Sequence, residues 1–179
     1  MTEPAYLTAQ FTQSKDATTS ELILTLDNHL EEVWAALTEP ARLPQWLAPG
    51  RIELFVGGAA KLDFVDSGGV IDSKVSAVEA GRLLEYSWSY PGEPMRPLRW
   101  RLDPIGPTTR LTLRLTVPAD EDAARATAGW AAHLEMLTAY LAGAPTKFPF
   151  AVFKAARDGY RDQLAAAALG RPHFADADV

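Results

Sequence analysis

The sequence predicts an α+β domain, an antiparallel sheet of about seven strands packed on one long helix, with two short helices between the first two strands. Three observations carry this. Between Arg51 and Val117 six stretches alternate apolar and polar residues, separated by glycine-containing turns, which is the pattern of an antiparallel meander. From Asp120 to Ala142 the periodicity is helical: Trp130, His133, Leu134, Leu137 and Leu141 share one stripe, which Met136 and Tyr140 widen. Finally, the strands carry their large rings on one parity, so the sheet offers the helix an apolar face.

Taken in order, residues 1–19 are polar, with Tyr6, Leu7 and Phe11 interspersed, and read as either a frayed tail or a weak edge strand, the tail being favoured for most of them. Glu21 to Asp27 alternates, with Leu22, Leu24 and Leu26 on one side, and reads as the first strand. Asn28, with Glu31 three residues on, resembles a capping box. Leu30, Val33, Trp34 and Leu37 then place a short helix from about His29 to Leu37. Pro40 suits the first position of a second short helix, which carries Leu43 and leads to Trp46 and Leu47.

The predicted meander strands are Ile52 to Val56, Ala60 to Val65, Val70 to Glu79, Arg82 to Tyr90, Leu98 to Asp103 and Arg110 to Val117. Leu62 and Phe64 share one face. So do Leu84, Tyr86, Trp88 and Tyr90, then Leu98, Trp100 and Leu102, then Leu111, Leu113, Leu115 and Val117. Glu85, Ser87, Arg99, Arg101, Arg110 and Arg114 fall on the opposite parity, so one face is expected to be buried and the other wet. Asp63 is expected to be solvated with Glu85. Asp120, Glu121 and Asp122 suit the start of the long helix, where carboxylates cap free N–H groups and oppose the dipole. Gly143-Ala144-Pro145 stops it. Pro149 opens a further helix to about Leu169, with Phe150, Phe153, Tyr160 and Leu164 on one side, ended by Gly170-Arg171-Pro172. The chain therefore divides into a lead of residues 1–19, a domain of residues 20–143 and a helical extension of residues 144–179.

Composition narrows the function. A net charge of −6 and a pI near 5.1 leave no basic field to recruit nucleic-acid phosphates. The absence of cysteine excludes disulfides, thiolate nucleophiles and Cys-ligated metal, and fits a cytoplasmic protein. No signal peptide is expected at the N-terminus, and no apolar run approaches the ~20 residues of a membrane helix.

No G-x-S-x-G elbow, H-E-x-x-H pair, phosphate-binding glycine loop or EF-hand loop occurs. The three histidines, His29, His133 and His173, fall on different elements. No catalytic residue, metal ligand or cofactor is therefore assigned. His133 is the polar member of the helix stripe. It is either a core-edge histidine bonded to a strand group or water, or a group that bonds a ligand carbonyl or acts as a base. Trp46, Phe64, Tyr86, Trp88, Tyr90, Trp100 and Trp130 are either core or the lining of a pocket, in which Tyr86 and Tyr90 would offer hydroxyls. With His133, Leu134 and Leu137 they form the candidate ligand-binding set. The arginines of the wet face either pair across strands or form an interaction surface.

Several motifs together carry a family likeness. They are Val33-Trp34-Ala35-Ala36-Leu37-Thr38-Glu39-Pro40, Trp46, Gly57-Gly58, Arg82-Leu83-Leu84-Glu85-Tyr86-Ser87-Trp88, Thr109-Arg110-Leu111-Thr112-Leu113, and Gly129-Trp130 with Leu134, Leu137 and Leu141. In this order they resemble the activator of heat-shock-protein-90 ATPase homologue-like family of the START-like (SRPBCC) superfamily, over about residues 20–143. The resemblance implies a helix-grip fold, in which a curved antiparallel sheet wraps the C-terminal helix and leaves an apolar cavity. It implies binding of a hydrophobic small molecule. The alternatives are a chaperone-related regulatory module and a cyclase- or hydrolase-type enzyme. The extension departs from the compact family pattern, and it is expected to cover the cavity, extend the core or mediate self-association.

Overall fold

The computed structural model describes residues 2–170; His173 and the Arg171-Pro172 stop lie outside the described residues. A single antiparallel sheet of eight strands has the order β1-β2-β8-β7-β6-β5-β4-β3. The strands are β1 (Ala9–Gln13), β2 (Ala17–Leu26), β3 (Gly50–Ile52), β4 (Ala59–Phe64), β5 (Gly69–Glu79), β6 (Leu83–Ser87), β7 (Pro97–Ile105) and β8 (Thr108–Pro118). The helices are α1 (Leu30–Thr38), α2 (Ala123–Leu141) and α3 (Phe150–Leu169). After β2 the chain crosses to the far edge through α1 and a 3-10 turn at Leu43–Gln45, then winds back strand by strand until β8 pairs with β2. The helix-grip α+β architecture is thus present, with α2 laid across the buried face.

The core follows from the alternation. Leu84 and Tyr86 on β6, Leu98, Trp100 and Leu102 on β7, and Leu111, Leu113, Leu115 and Val117 on β8 are all buried, as are Trp130, Leu134 and Leu137 of α2. Each such large apolar side chain contributes roughly 1.5–3 kcal/mol on leaving water. α1 adds Val33, Ala36 and Leu37 to the same core. Its turn anchor is Trp46, whose indole N–H donates to the Ala36 carbonyl at 2.8 Å. A register shift between Val75 and Ala77 breaks the β5–β6 ladder, and such a bulge bends a strand and increases its twist.

The ends of α2 are built as its sequence suggests. Asp122 caps it, accepting from the Arg125 backbone N–H at 3.0 Å. Gly143 lies at φ +79°, and Gly143 and Ala144 N–H groups close on the Tyr140 and Ala139 carbonyls at 3.0 and 2.9 Å. This is the Schellman arrangement, which a residue with a Cβ would strain. Near the same end Asn28 Nδ2 donates to the Leu141 carbonyl at 3.1 Å and to Glu32 at 2.9 Å. Asn28 therefore ties α1 to α2 and does not cap α1. The residue at that cap position is His29, with no side-chain bond.

Other expectations are corrected. Residues 9–13 form an edge strand, the less favoured of the two readings, and β2 begins at Ala17, four residues before the predicted Glu21. A Ser14-centred turn joins β1 to β2, with the Ser14 hydroxyl accepting from Ala17 N at 3.1 Å. The helix expected to start at Pro40 is only the 3-10 turn, and the strand expected over Ile52 to Val56 lies at Gly50–Ile52. Leu54, Phe55 and Val56 are exposed beyond it. Ser87 is not on a wet face. It is buried beneath the loop before β7, sharing a hydrogen bond with Ser89 at 2.8 Å and accepting from Arg96 N at 2.8 Å.

α3 packs along α2 and also holds the N-terminal lead. Its Tyr160, 1% exposed, stacks edge-on with Tyr6 and Phe11 and donates its hydroxyl to the Leu7 carbonyl at 2.5 Å. Gln163 donates to the Ala9 carbonyl at 2.9 Å. Phe150, expected on the apolar side, is exposed. Replacing Tyr160 by Ala is expected to cost about 3–5 kcal/mol in urea unfolding, the range for truncating a buried ring. Amides of β1 should lose hydrogen-exchange protection before those of β7. A cost below about 1 kcal/mol with β1 protection intact contradicts this coupling.

Candidate functional site

The aromatic residues of the sheet and α2 form one connected chain of edge-on contacts. Trp46 meets Trp100 at 5.9 Å between centroids, Trp100 meets Trp130 at 5.4 Å, and Trp130 meets Trp88 at 4.6 Å. Trp88 meets Phe64 at 5.6 Å. From there His133 links Phe64, Trp130 and Phe148, the last at 5.4 Å. Such T-shaped pairs place positive ring edges on negative faces.

The first part of this chain is core. Trp46, Trp100 and Tyr86 are each 1% exposed and Leu137 is fully buried, so side chains close the middle of the sheet–helix gap. These four are not cavity lining as the sequence reading had them. Burial holds the Tyr86 phenol above its ordinary range, against an opposing hydrogen bond from Trp100, so its hydroxyl serves the interior. Leu134, also buried, borders a different cleft of about 510 Å³ on the other flank of α2, walled by Tyr6, Leu7, Ile23 and Leu24.

The second part of the chain opens into a cleft of about 480 Å³. Phe64, Trp88, Tyr90, Trp130 and His133 all line it, joined by Phe148 and Phe153 of the extension. Five of the ten candidate residues are therefore brought together. Phe148 was missed, and Phe153 was read only as part of the apolar side of the extension, because their place at the cleft depends on how the chain turns after Gly143. α2 also supplies Asp122, Arg125, Ala126 and Gly129, and a Cβ added at Gly129 would meet open space. Tyr90 covers Gly69 so closely that a Cβ there would lie 2.6 Å from its hydroxyl oxygen.

His133 is half-buried in this wall, and its Nδ1 lies 3.2 Å from the Trp46 carbonyl oxygen. A carbonyl only accepts, so Nδ1 carries the proton and the neutral ring keeps Nε2 as an acceptor. Burial depresses the imidazole pKa, and the Trp46 carbonyl only partly offsets it. In that neutral state His133 does not donate to a ligand carbonyl, contrary to one sequence reading.

Beside the cleft, Arg96 forks onto Glu121 at 2.6–2.7 Å and reaches Glu93 at 2.7 Å, fixing the loop before β7 to the start of α2. Its hydrogen bond with Glu121 is the main reason its pKa is raised, with burial opposing. Arg99 pairs with Glu85 at 2.7 Å, Arg114 with Glu21 at 2.8 Å and Arg101 with Asp103 at 3.3 Å. Arg110 stands opposite Asp103 in register. Arg99, Arg101 and Arg114 of the outer face are thus engaged in pairs, and Glu85 is half-buried rather than solvated. Among the described residues no group of three His, Asp or Glu is placed to hold a metal ion, and no helix is long and apolar enough to cross a membrane.

The depressed His133 pKa gives a signed expectation. The unfolded ring binds its proton near the ordinary value of 6.5, before the native ring does. Stability from this site is complete above that range and is lost as pH falls through the native value. The stability difference between the native protein and His133→Asn should shrink between about pH 8 and about pH 5 in urea titrations. A pH-independent difference contradicts a buried neutral imidazole.

Residues 27–142, more than half of the chain, match the family model described as "Activator of Hsp90 ATPase homolog 1-like protein". No curated protein matches the sequence. Among solved structures, CalU16 from Micromonospora echinospora superposes with a TM-score of 0.72 at 20% identity, covering 89% of this chain and 97% of its own. A protein from Bordetella parapertussis gives 0.69 at 26% identity, covering 91% and 95%. DynU16, from the dynemicin biosynthetic locus, gives 0.64 at 29% identity, covering 70% of this chain and 48% of its own. With the sheet wrapped on α2, the chain belongs to the Activator of Hsp90 ATPase homolog 1-like family within the START-like superfamily.

Proposed function

We propose that the protein binds a hydrophobic small molecule in the cleft between β4, the end of β6, α2 and the start of α3. One observation carries this reading: an open cleft of about 480 Å³ walled by Phe64, Trp88, Trp130, Phe148 and Phe153. That volume falls in the roughly 300–1,000 Å³ range of small-molecule sites, and the wall combines apolar rings with few polar groups. An aromatic ligand there would replace water against ring faces and edges. The core rings behind the wall would hold it in place before binding, which reduces the ordering cost. DynU16 belongs to a biosynthetic locus, which is compatible with a small-molecule ligand for this chain as well. The extension supplies one wall of the site through Phe148 and Phe153.

Binding of 2-naphthamide, a flat neutral probe, is expected to be saturable and to change the fluorescence of Trp88 and Trp130. Gly129→Leu places a side chain in open cleft space and replaces a helix-interior glycine with a better helix former. It should weaken the probe by at least about tenfold while leaving the melting temperature unchanged or raised. Equal binding by the native protein and Gly129→Leu contradicts the reading, as does an absence of saturable binding.

A further inference from the structure

The cleft is mostly apolar, but its rim carries two charged side chains, Asp122 and Arg125. The two are not equally available. Asp122 accepts from the Arg125 backbone N–H at 3.0 Å through Oδ1 and from the Arg161 guanidinium at 3.1 Å through Oδ2. Both oxygens are therefore engaged, one by the cap and one by an ion pair from α3. The nearby Glu93 and Glu121 are engaged by Arg96. Arg125 is exposed, and among the described residues its guanidinium makes no hydrogen bond and no ion pair within 4 Å, although its charge acts at longer range on Asp122. The aromatic wall thus ends at an unpaired guanidinium, a planar donor fork suited to a carboxylate.

We infer that the cleft selects aromatic acids: the ring system lies against Trp88, Trp130 and Phe148, and its carboxylate pairs with Arg125. This rests on the proposed small-molecule reading and adds the ligand's charge to it. The pair would sit at the rim, where solvent screens it, so its effect on affinity is modest. A ligand carboxylate would complete the donor set that Asp122, already bridged to Arg161, leaves open. The aromatic wall would supply most of the affinity, and the arginine the discrimination between acid and neutral analogue.

Titrating 2-naphthoate and 2-naphthamide, matched in shape and different in charge, into the native protein and Arg125→Gln tests this by tryptophan fluorescence. The native protein should bind the acid about fivefold more tightly than the amide at low salt, and the preference should fall as salt is added. Arg125→Gln should lose the preference while still binding the amide saturably, and a melting temperature matching that of the native protein shows that the variant is folded. Equal affinity for the two probes, or a preference that survives Arg125→Gln, overturns acid selection and leaves the cleft reading standing. Failure of both probes to bind overturns both.

Discussion

The packing of Trp130 is the contact on which the rest of this structure depends. It touches Trp100 on the core side and Trp88 on the cleft side, at 5.4 and 4.6 Å between centroids. α2 is held on the sheet by this ring together with Leu134 and Leu137, so the same residue fixes the helix and begins the cleft wall. Behind it, Trp46, Trp100 and Tyr86 are fully packed. A wall backed by close-packed rings cannot collapse without opening a void in the core. An open cleft beside a filled core is therefore a stable combination.

The extension completes the arrangement through a different constraint. The Schellman closure at Gly143 turns the chain back, so that α3 runs along α2 and Phe148 reaches His133. α3 then meets the N-terminal lead through Tyr160 and Gln163. The extension thus fixes β1 at a sheet edge through α3 and supplies two rings of the cleft, Phe153 from α3 and Phe148 from the segment before it. Sheet, lead and cleft share a common support.

Much of this was legible from residue order. Alternation located the buried face of β6, β7 and β8, and helical spacing located α2 and α3. The edge strand β1 was legible only as the less favoured reading because its composition is polar: on its inward parity Ala9 and Phe11 are apolar, while the half-buried Gln13 carries no apolar signal. Thr18 and Ser20 extend the inner face of β2, but as small polar residues they carry no apolar signal; Ser20 instead accepts from Thr127 on α2. Parity showed which rings face the helix. It did not show that Trp46, Tyr86 and Trp100 would fill the space between them, because that depends on how large rings interlock. The tautomer of His133 is likewise a tertiary fact, set by the Trp46 carbonyl from a turn far away in sequence.

Of the clefts of about 510 and about 480 Å³ beside α2, the one walled by aromatic residues is the proposed ligand site. Isotope-filtered NMR of the native protein with bound 2-naphthamide tests that assignment directly. Intermolecular contacts from the naphthyl protons to Trp88, Trp130 and Phe148 are the expected result. Contacts confined to Leu7, Ile23 and Leu134, on the other flank, would contradict it.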